Sequence, residues 1–229
     1  MQADKEQAER LHRFSHDLRN RLIGLQQVLM QFSQQPTEEE RKELIHFGEQ
    51  QYFKALREVE NLLDDFAVER GTAAPELVPV ALSPLAHKHI ELMQHRFLRK
   101  RQPLELVLAD DLIVLADPRM LGDILDALLS NASKFSAQGS PIVITTNAND
   151  DHAVLEIRDL GTGLSQADLE QVFVRFALLS NRPTDGEAQG RSSLAKAREM
   201  ALAQNGSLVA RSDGTGCGCT FTLGVPLVL

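Results

Sequence analysis

From Leu18 the apolar positions run Leu22, Leu25, Leu29 and Phe32, stepping by four, three, four and three, with Leu11 one heptad earlier. That spacing keeps one stripe along a helix and predicts an amphipathic seam. After Gln34-Gln35-Pro36-Thr37 the stripe restarts at Ile45, Tyr52, Leu56, Val59, Leu63 and Phe66. Thr37 followed by Glu38, Glu39 and Glu40 reads as an N-cap with an acidic first turn, and Gly71 as a stop. The pattern predicts a helical hairpin with arms of about thirty residues. One hairpin leaves part of both seams open, so pairing with a second copy into a four-helix bundle is the expected assembly.

Beyond Thr72 the periodicity changes. Glu76 to Val80 reads as a strand and Pro84 to Arg101 as an amphipathic helix. Leu104 to Leu108 and Leu112 to Leu115 read as two strands around Ala109-Asp110-Asp111. Asp117 to Ser133 carries Leu121, Ile124, Leu125, Leu128 and Leu129 at helical spacing. Ile142 to Thr146 and Val154 to Asp159 are β-branched runs. Leu194 to Asn205 is a last helix stopped by Gly206, and Ser207 to Ser212 with Thr220 to Pro226 forms a closing hairpin. The helices are too few to cover two faces of a sheet, which favours an α/β sandwich with helices over one face.

Composition narrows the function classes. With 24 Lys plus Arg against 32 Asp plus Glu, the net charge is −8, which argues against a nucleic-acid partner; the single dense basic cluster is Arg96 to Arg101. No apolar run approaches the roughly 20 residues that span a bilayer. The charged start lacks the apolar centre of an export signal, so a cytoplasmic location is expected. Cys217 and Cys219 are too close to bridge comfortably; in an extended segment both thiols point to one face, where core packing is the expected role.

Four motifs carry chemistry. Ser15-His16-Asp17-Leu18-Arg19-Asn20 places His16 beside the first seam, with Asp17 adjacent to hydrogen-bond the imidazole and Asn20 one turn on along the same face. A metal site from His12 and His16 lacks a third ligand. At the end of the helix begun at Asp117, Asn131 offers a carbonyl to a hydrated Mg²⁺, and Lys134 can reach a phosphate. Asp159-Leu160-Gly161-Thr162-Gly163 follows a strand: the carboxylate suits an exocyclic amine, and the glycines allow close backbone approach to a ligand. Phe173 and Phe176, with Arg175 between them, open a loop to Gly190 without apolar periodicity, a candidate lid. Singly, the first reads as a solvated helix face and the third as an ordinary glycine-rich turn.

In order and spacing the four resemble the transmitter region of sensor histidine kinases: a phospho-acceptor box at His16, an asparagine box from Asn131 to Ser136, a first glycine box at Asp159 to Gly163 and a phenylalanine box at Phe173 to Phe176. The tail Gly216 to Pro226 resembles the closing strand. The resemblance implies a dimeric helical hairpin over residues 1–71 and an ATP-binding sandwich of the Hsp90 and gyrase type over residues 72–229. It also implies transfer of the ATP γ-phosphoryl group to His16, then to an aspartate on a response-regulator receiver domain. Asp17 would be the base, Asn20 the residue that positions water in dephosphorylation, Asn131 the Mg²⁺ ligand and Lys134 the phosphate contact. Asp159 would hold the adenine amino group, Gly161 and Gly163 would shape its pocket, and Phe176, Gly190 and Arg191 would complete the nucleotide site. The input domain is expected outside these residues.

Three positions depart from the pattern. Arg21 stands where a helix-bending proline is usual, and Ala127 where a polar residue is usual, with Asp126 one step away. The second glycine box is reduced to Gln189-Gly190-Arg191-Ser192-Ser193-Leu194. Those glycines let backbone N–H groups wrap a triphosphate, so their loss favours weaker nucleotide binding, with Arg191 supplying charge instead. Two readings follow: a working protein-histidine kinase, or a degenerate one that serves as a phosphotransfer or regulatory module.

Overall fold

The computed structural model describes residues 2–34, 36–69, 74–149, 151–175, 177, 179–180, 184 and 193–228. The chain divides into two compact units, Met1–Ala73 and Ala74–Leu229. The expected boundary between Gly71 and Thr72 lies outside the described residues.

The first unit is a hairpin of α1 (Gln2–Phe32) and α2 (Glu38–Glu69). Thr37 and Glu40 cap each other at its turn. The Thr37 amide and hydroxyl donate to Glu40 Oε2 at 2.8 Å, and the Glu40 amide donates to Thr37 Oγ1 at 3.4 Å. This capping box fixes the start of α2, and the Thr37 amide holds the Glu40 carboxyl below its usual range. The arms pack through small residues: Gly24 and Val28 are buried on α1, and Gly48, Gln51 and Ala55 on α2. Arg21 donates to Gln51 Oε1 at 3.4 Å across the seam.

That seam differs from the leucine stripe read in the sequence. Leu18, Leu25 and Phe32 are half-buried, whereas Leu11, Leu22, Leu29, Ile45, Tyr52 and Leu56 are exposed, Leu29 at 72%. The side chains of Leu63 and Phe66 lie outside the described residues. Close approach selects the narrowest stripe, so Leu29, Tyr52 and Leu56, each one position past a buried residue, stay outward.

The second unit contains β1 (Val78–Ala81), α3 (Leu82–Leu92), α4 (Gln94–Arg99), β2 (Leu104–Val107), β3 (Ile113–Ala116), α5 (Pro118–Phe135), β4 (Ile142–Asn149), β5 (His152–Asp159), α6 (Gln166–Gln171), α7 (Ser193–Ala203), β6 (Ser207–Arg211) and β7 (Cys219–Pro226). A five-stranded sheet runs β2-β4-β5-β7-β6, with β2 parallel to β4 and the other pairs antiparallel. Its three central strands alternate over most of their length. Ile142, Ile144, Leu155, Ile157, Phe221 and Leu223 enter one core with Leu121, Ile124, Leu125 and Leu128 of α5. Val143, Thr145, Glu156, Arg158 and Thr222 occupy the opposite, more open face. This is the one-sided sandwich that the pattern predicts.

Several details differ. The helix expected over Pro84 to Arg101 is broken at Met93, whose backbone sits at φ −97 and ψ 0. The two strands read around Ala109-Asp110-Asp111 are both present, but they belong to different sheets: β2 joins the large one, while β3 pairs with β1 in a separate two-stranded one. Short α6, capped by Ser165, carries too little periodicity to be read. The cysteines do not share a face: Cys219 is buried on β7 and Cys217 is exposed. Cys217 lies in the glycine-rich β6–β7 connection, outside the regular strand.

Candidate functional site

α5 supplies one wall of a cavity of about 450 Å³, within the range typical of small-molecule sites. The helix starts because Asp117 caps it, accepting from the Arg119 and Met120 amides at 2.9 and 3.1 Å, and because Pro118 is preset for its first turn. The Met120 amide, foremost, holds the Asp117 carboxyl below its usual range against burial. One face of α5 is apolar and buried. The other carries Asp126, Ala127, Ser130, Asn131 and Lys134 at intervals of three and four, and these line the cavity. Met93, His95 and Arg96 from α4 and its junction, with Phe135 and Ser193, complete the lining. Arg96 donates to Ser130 Oγ at 3.3 Å.

Asn131 and Lys134 therefore share a cavity, as their spacing predicts. Its amide oxygen and cationic side chains suit a phosphate-bearing ligand with a bound cation. His95 and Arg96 were hidden within the basic run Arg96 to Arg101 and its flank. A charge run carries no phase of its own; the signal that finds them is the amphipathic phase of Phe97, whose burial turns its polar neighbours toward α5.

Lys100, from the same run, is 3% exposed. Its Nζ donates to Ser133 O at 2.7 Å, Ser136 O at 3.3 Å and Thr184 Oγ1 at 2.7 Å. Gln102 Nε2 donates to Ser133 O and Ser136 O at 3.2 Å each. These donors satisfy the last carbonyls of α5, and the lysine charge complements the negative end of its dipole. Lys100 is thus structural: it secures the helix that bears Asn131 and Lys134.

Asp159 ends β5 on the core face, 1% exposed. Its Oδ1 accepts from the Gly161 amide at 2.8 Å, while Oδ2 is buried without a hydrogen-bond partner among the described residues. Burial pushes its carboxyl up to about 6, opposed by the amides of Gly161 and Cys219. Thr162 Oγ1 is a second buried polar atom without a partner there. Such orphaned groups carry a desolvation cost that a ligand N–H donated to Oδ2 would relieve. The turn joins α5 directly, since the Thr162 amide donates to Phe135 O at 3.1 Å. Gly163, at φ +64, packs so tightly that a Cβ would stand 2.1 Å from Gly214 O. Its first task is to seat the β6–β7 loop, whose Gly216 and Gly218 amides donate to Thr162 O and Gly161 O at 2.7 and 3.2 Å. Across the strand pair from Asp159, the Cys219 thiol is pushed up to about 12 by burial and by that carboxylate, so it stays a packed thiol.

Phe173 packs edge-on to Phe221, with Arg198 over its ring at 5.0 Å. Arg175 pairs with Glu199 of α7 through its Nε at 3.0 Å and a second guanidinium contact. Phe176, Gly190 and Arg191 lie outside the described residues, as does most of the candidate lid.

In the first unit His16, Asp17 and Asn20 form an exposed cluster on α1. His16 Nδ1 lies 3.1 Å from Asp17 Oδ1 and 3.3 Å from Asn20 Nδ2, with the His16 side chain 66% exposed. One nitrogen cannot donate to Asp17 and accept from Asn20 together. The shorter, charge-assisted contact favours Nδ1–H donating to Asp17, which leaves the lone pair on Nε2 facing solvent.

Comparison with known proteins matches this architecture. Residues 116–229 fit the family model of histidine kinase-, DNA gyrase B-, and HSP90-like ATPases. The circadian input-output histidine kinase CikA of Synechococcus elongatus is 29% identical over 233 residues, covering 98% of this chain and 30% of that protein. The chain spans less than a third of the length of the curated relatives it matches. Among solved structures, the histidine kinase AdeS of Acinetobacter baumannii matches with a TM-score of 0.60 at 22% identity, over 93% of this chain and 98% of that one. Full-length ShkA in complex with AMPPNP matches at 0.62 and 24% identity, over 96% of this chain and 46% of that one. At these identities the two structures speak for the fold. On these grounds residues 116–229 belong to the family of histidine kinase-, DNA gyrase B-, and HSP90-like ATPases, and the chain carries a sensor-histidine-kinase ATP-binding region.

Proposed function

We propose that the chain is the transmitter part of a two-component protein-histidine kinase. It takes the γ-phosphoryl group of ATP onto His16 and passes it to an aspartate on a response-regulator receiver domain. The observation that carries this reading is the pairing of two features on one chain. An exposed imidazole is held by Asp17, and a family-matched ATPase unit has both an orphaned buried carboxylate oxygen at the end of β5 and a cavity along α5.

ATP is the substrate, and a divalent cation bound with it supplies charge neutralisation on its phosphates. Asp159 Oδ2 accepts from the exocyclic amine of adenine, Asn131 holds the cation, and Lys134 meets the phosphates. His16 Nε2 forms the new N–P bond as the γ-phosphorus to ADP-oxygen bond breaks. Asp17 stabilises the positive imidazole through Nδ1–H and receives that proton. Asn20, beside the same ring, positions water when the regulator is dephosphorylated. Positioning and electrostatics account for most of the catalysis in such transfers. The exposed stripe of Leu11, Leu22, Leu29, Ile45, Tyr52 and Leu56 supports dimerisation into a four-helix bundle. The location proposed for this part of the chain is cytoplasmic.

A second reading rests on the reduced glycine box at Gln189 to Leu194: a module that keeps His16 for phosphotransfer and binds nucleotide poorly. Incubation with γ-labelled ATP and Mg²⁺ separates the two, since only the kinase acquires label from ATP itself.

A further inference from the structure

Among the described residues the α5 cavity contains one acid. Its other charged lining residues, Arg96 and Lys134, are cations, with His95 beside them. Asp126 alone presents a carboxylate, its side chain 46% exposed. A polyphosphate in this cavity meets repulsion from Asp126 unless positive charge stands between them.

Asp126 is also held in place. His89 Nδ1 donates to its Oδ1 at 2.8 Å, and the His89 side chain is only 13% exposed. The imidazole lies in a niche that exists because residue 122 is glycine: a Cβ there would stand 2.6 Å from the ring. The bond occupies one carboxylate oxygen and fixes the plane of the group, leaving Oδ2 for a further interaction. A carboxylate oriented by a half-buried histidine at a phosphate-suited wall has the chemistry of a divalent-cation ligand with an outer-shell partner.

Resting on the nucleotide reading above, we propose that Asp126, positioned by His89, faces the divalent cation that accompanies the nucleotide, directly or through its hydration water. It thereby makes nucleotide binding depend on that cation. With the cation present, Asp126 attracts the complex; without it, Asp126 repels the phosphates. Asn131 contributes a neutral oxygen, so the sign of the metal dependence belongs to Asp126. Its place one residue before Ala127 lets the chain dispense with a polar side chain at the latter position.

The test is calorimetric titration of the full chain with AMPPNP, in Mg²⁺ and again in excess EDTA. Wild type should bind more tightly in Mg²⁺. Asp126→Asn should bind about tenfold more weakly in Mg²⁺ and several-fold more tightly in EDTA, so the ratio falls toward one. Asp126→Ser should shift the ratio the same way, which guards against a peculiarity of the amide. Asp126→Glu, which keeps the charge, should retain a preference for Mg²⁺. His89→Gln should weaken the preference without abolishing it. Equal changes in both media for Asp126→Asn, or a wild type whose affinity ignores Mg²⁺, would overturn the proposal and leave nucleotide binding standing. A wild type that binds AMPPNP in neither medium removes the nucleotide reading itself.

Discussion

A buried carboxylate kept for a ligand leaves a thermodynamic trace, and Asp159 is the residue where it can be read. Its ordinary value is 3.8 and burial raises it to about 6. The fold therefore favours the protonated form. That contribution is present below 3.8 and lost as the pH rises through about 6. Above that window the ionised group costs on the order of 3 kcal/mol, since each tenfold change in proton affinity is worth about 1.36 kcal/mol. Asp159→Asn should then be at least as stable as wild type in urea at pH 8, the gap closing by pH 4. Its ATP affinity should fall by roughly tenfold to a hundredfold, the worth of one charged hydrogen bond. A loss of stability at pH 8 would make Asp159 structural instead.

At this scale the sequence was partly legible. Asn131 and Lys134 could be placed together because three residues is nearly one helical turn, and both line the cavity. The burial of Lys100 could not be read, because its partners Ser133, Ser136 and Thr184 come from segments up to 84 positions away. Nothing in a run of like charges marks which member turns inward.

Between elements, the closing hairpin of β6 and β7 was legible, whereas helix breaks and sheet membership were not. α5 was readable because its apolar face, its cap at Asp117 and Pro118 agree. The break at Met93 was hidden because neither glycine nor proline marks it. The separation of β2 from β3 reflects partners that only the tertiary fold supplies. The turn after β5 was read as a ligand-facing loop, yet Gly163 answers first to Gly214. Gly163→Ala should cost about 2–4 kcal/mol in chemical denaturation, combining a left-handed backbone with a clash. Gly139→Ala shares a positive φ of +79 but meets open space, so about 1 kcal/mol is expected. Equal costs would deny the packing role of Gly163. In the hairpin, the heptad was visible, but not which stripe closes the hairpin and which stays open. Leu22→Glu combined with Leu29→Glu should convert a dimer to a helical monomer in sedimentation, and an unchanged mass would exclude the exposed stripe as the interface.

The whole molecule joins two units of different design. The hairpin presents its chemistry on an exposed helix face, whereas the sandwich encloses its own in a cavity and a buried turn. Among the described residues no helix is long and apolar enough to cross a membrane, and no cluster of His, Cys, Asp and Glu is arranged to hold a metal. The cavity sets Arg96, Ser130, Asn131 and Lys134 beside apolar Met93, Ala127 and Phe135, and the proposed cation comes with the nucleotide. The net charge of −8 says little about this chemistry, because the cations that matter are local. The family assignment and the sandwich were legible because motif order and spacing survive sequence divergence. The state of the second glycine box was not, because a backbone cradle depends on conformation rather than residue names.

The most direct measurement is incubation of the full chain with γ-labelled ATP and Mg²⁺, alongside His16→Gln and Asn131→Ala. A working kinase should show acid-labile, alkali-stable label on wild type, none on His16→Gln, and a loss of at least tenfold on Asn131→Ala. Absence of label on wild type, with phosphate still taken up at His16 from a phosphorylated receiver domain, would contradict the kinase and establish the phosphotransfer module.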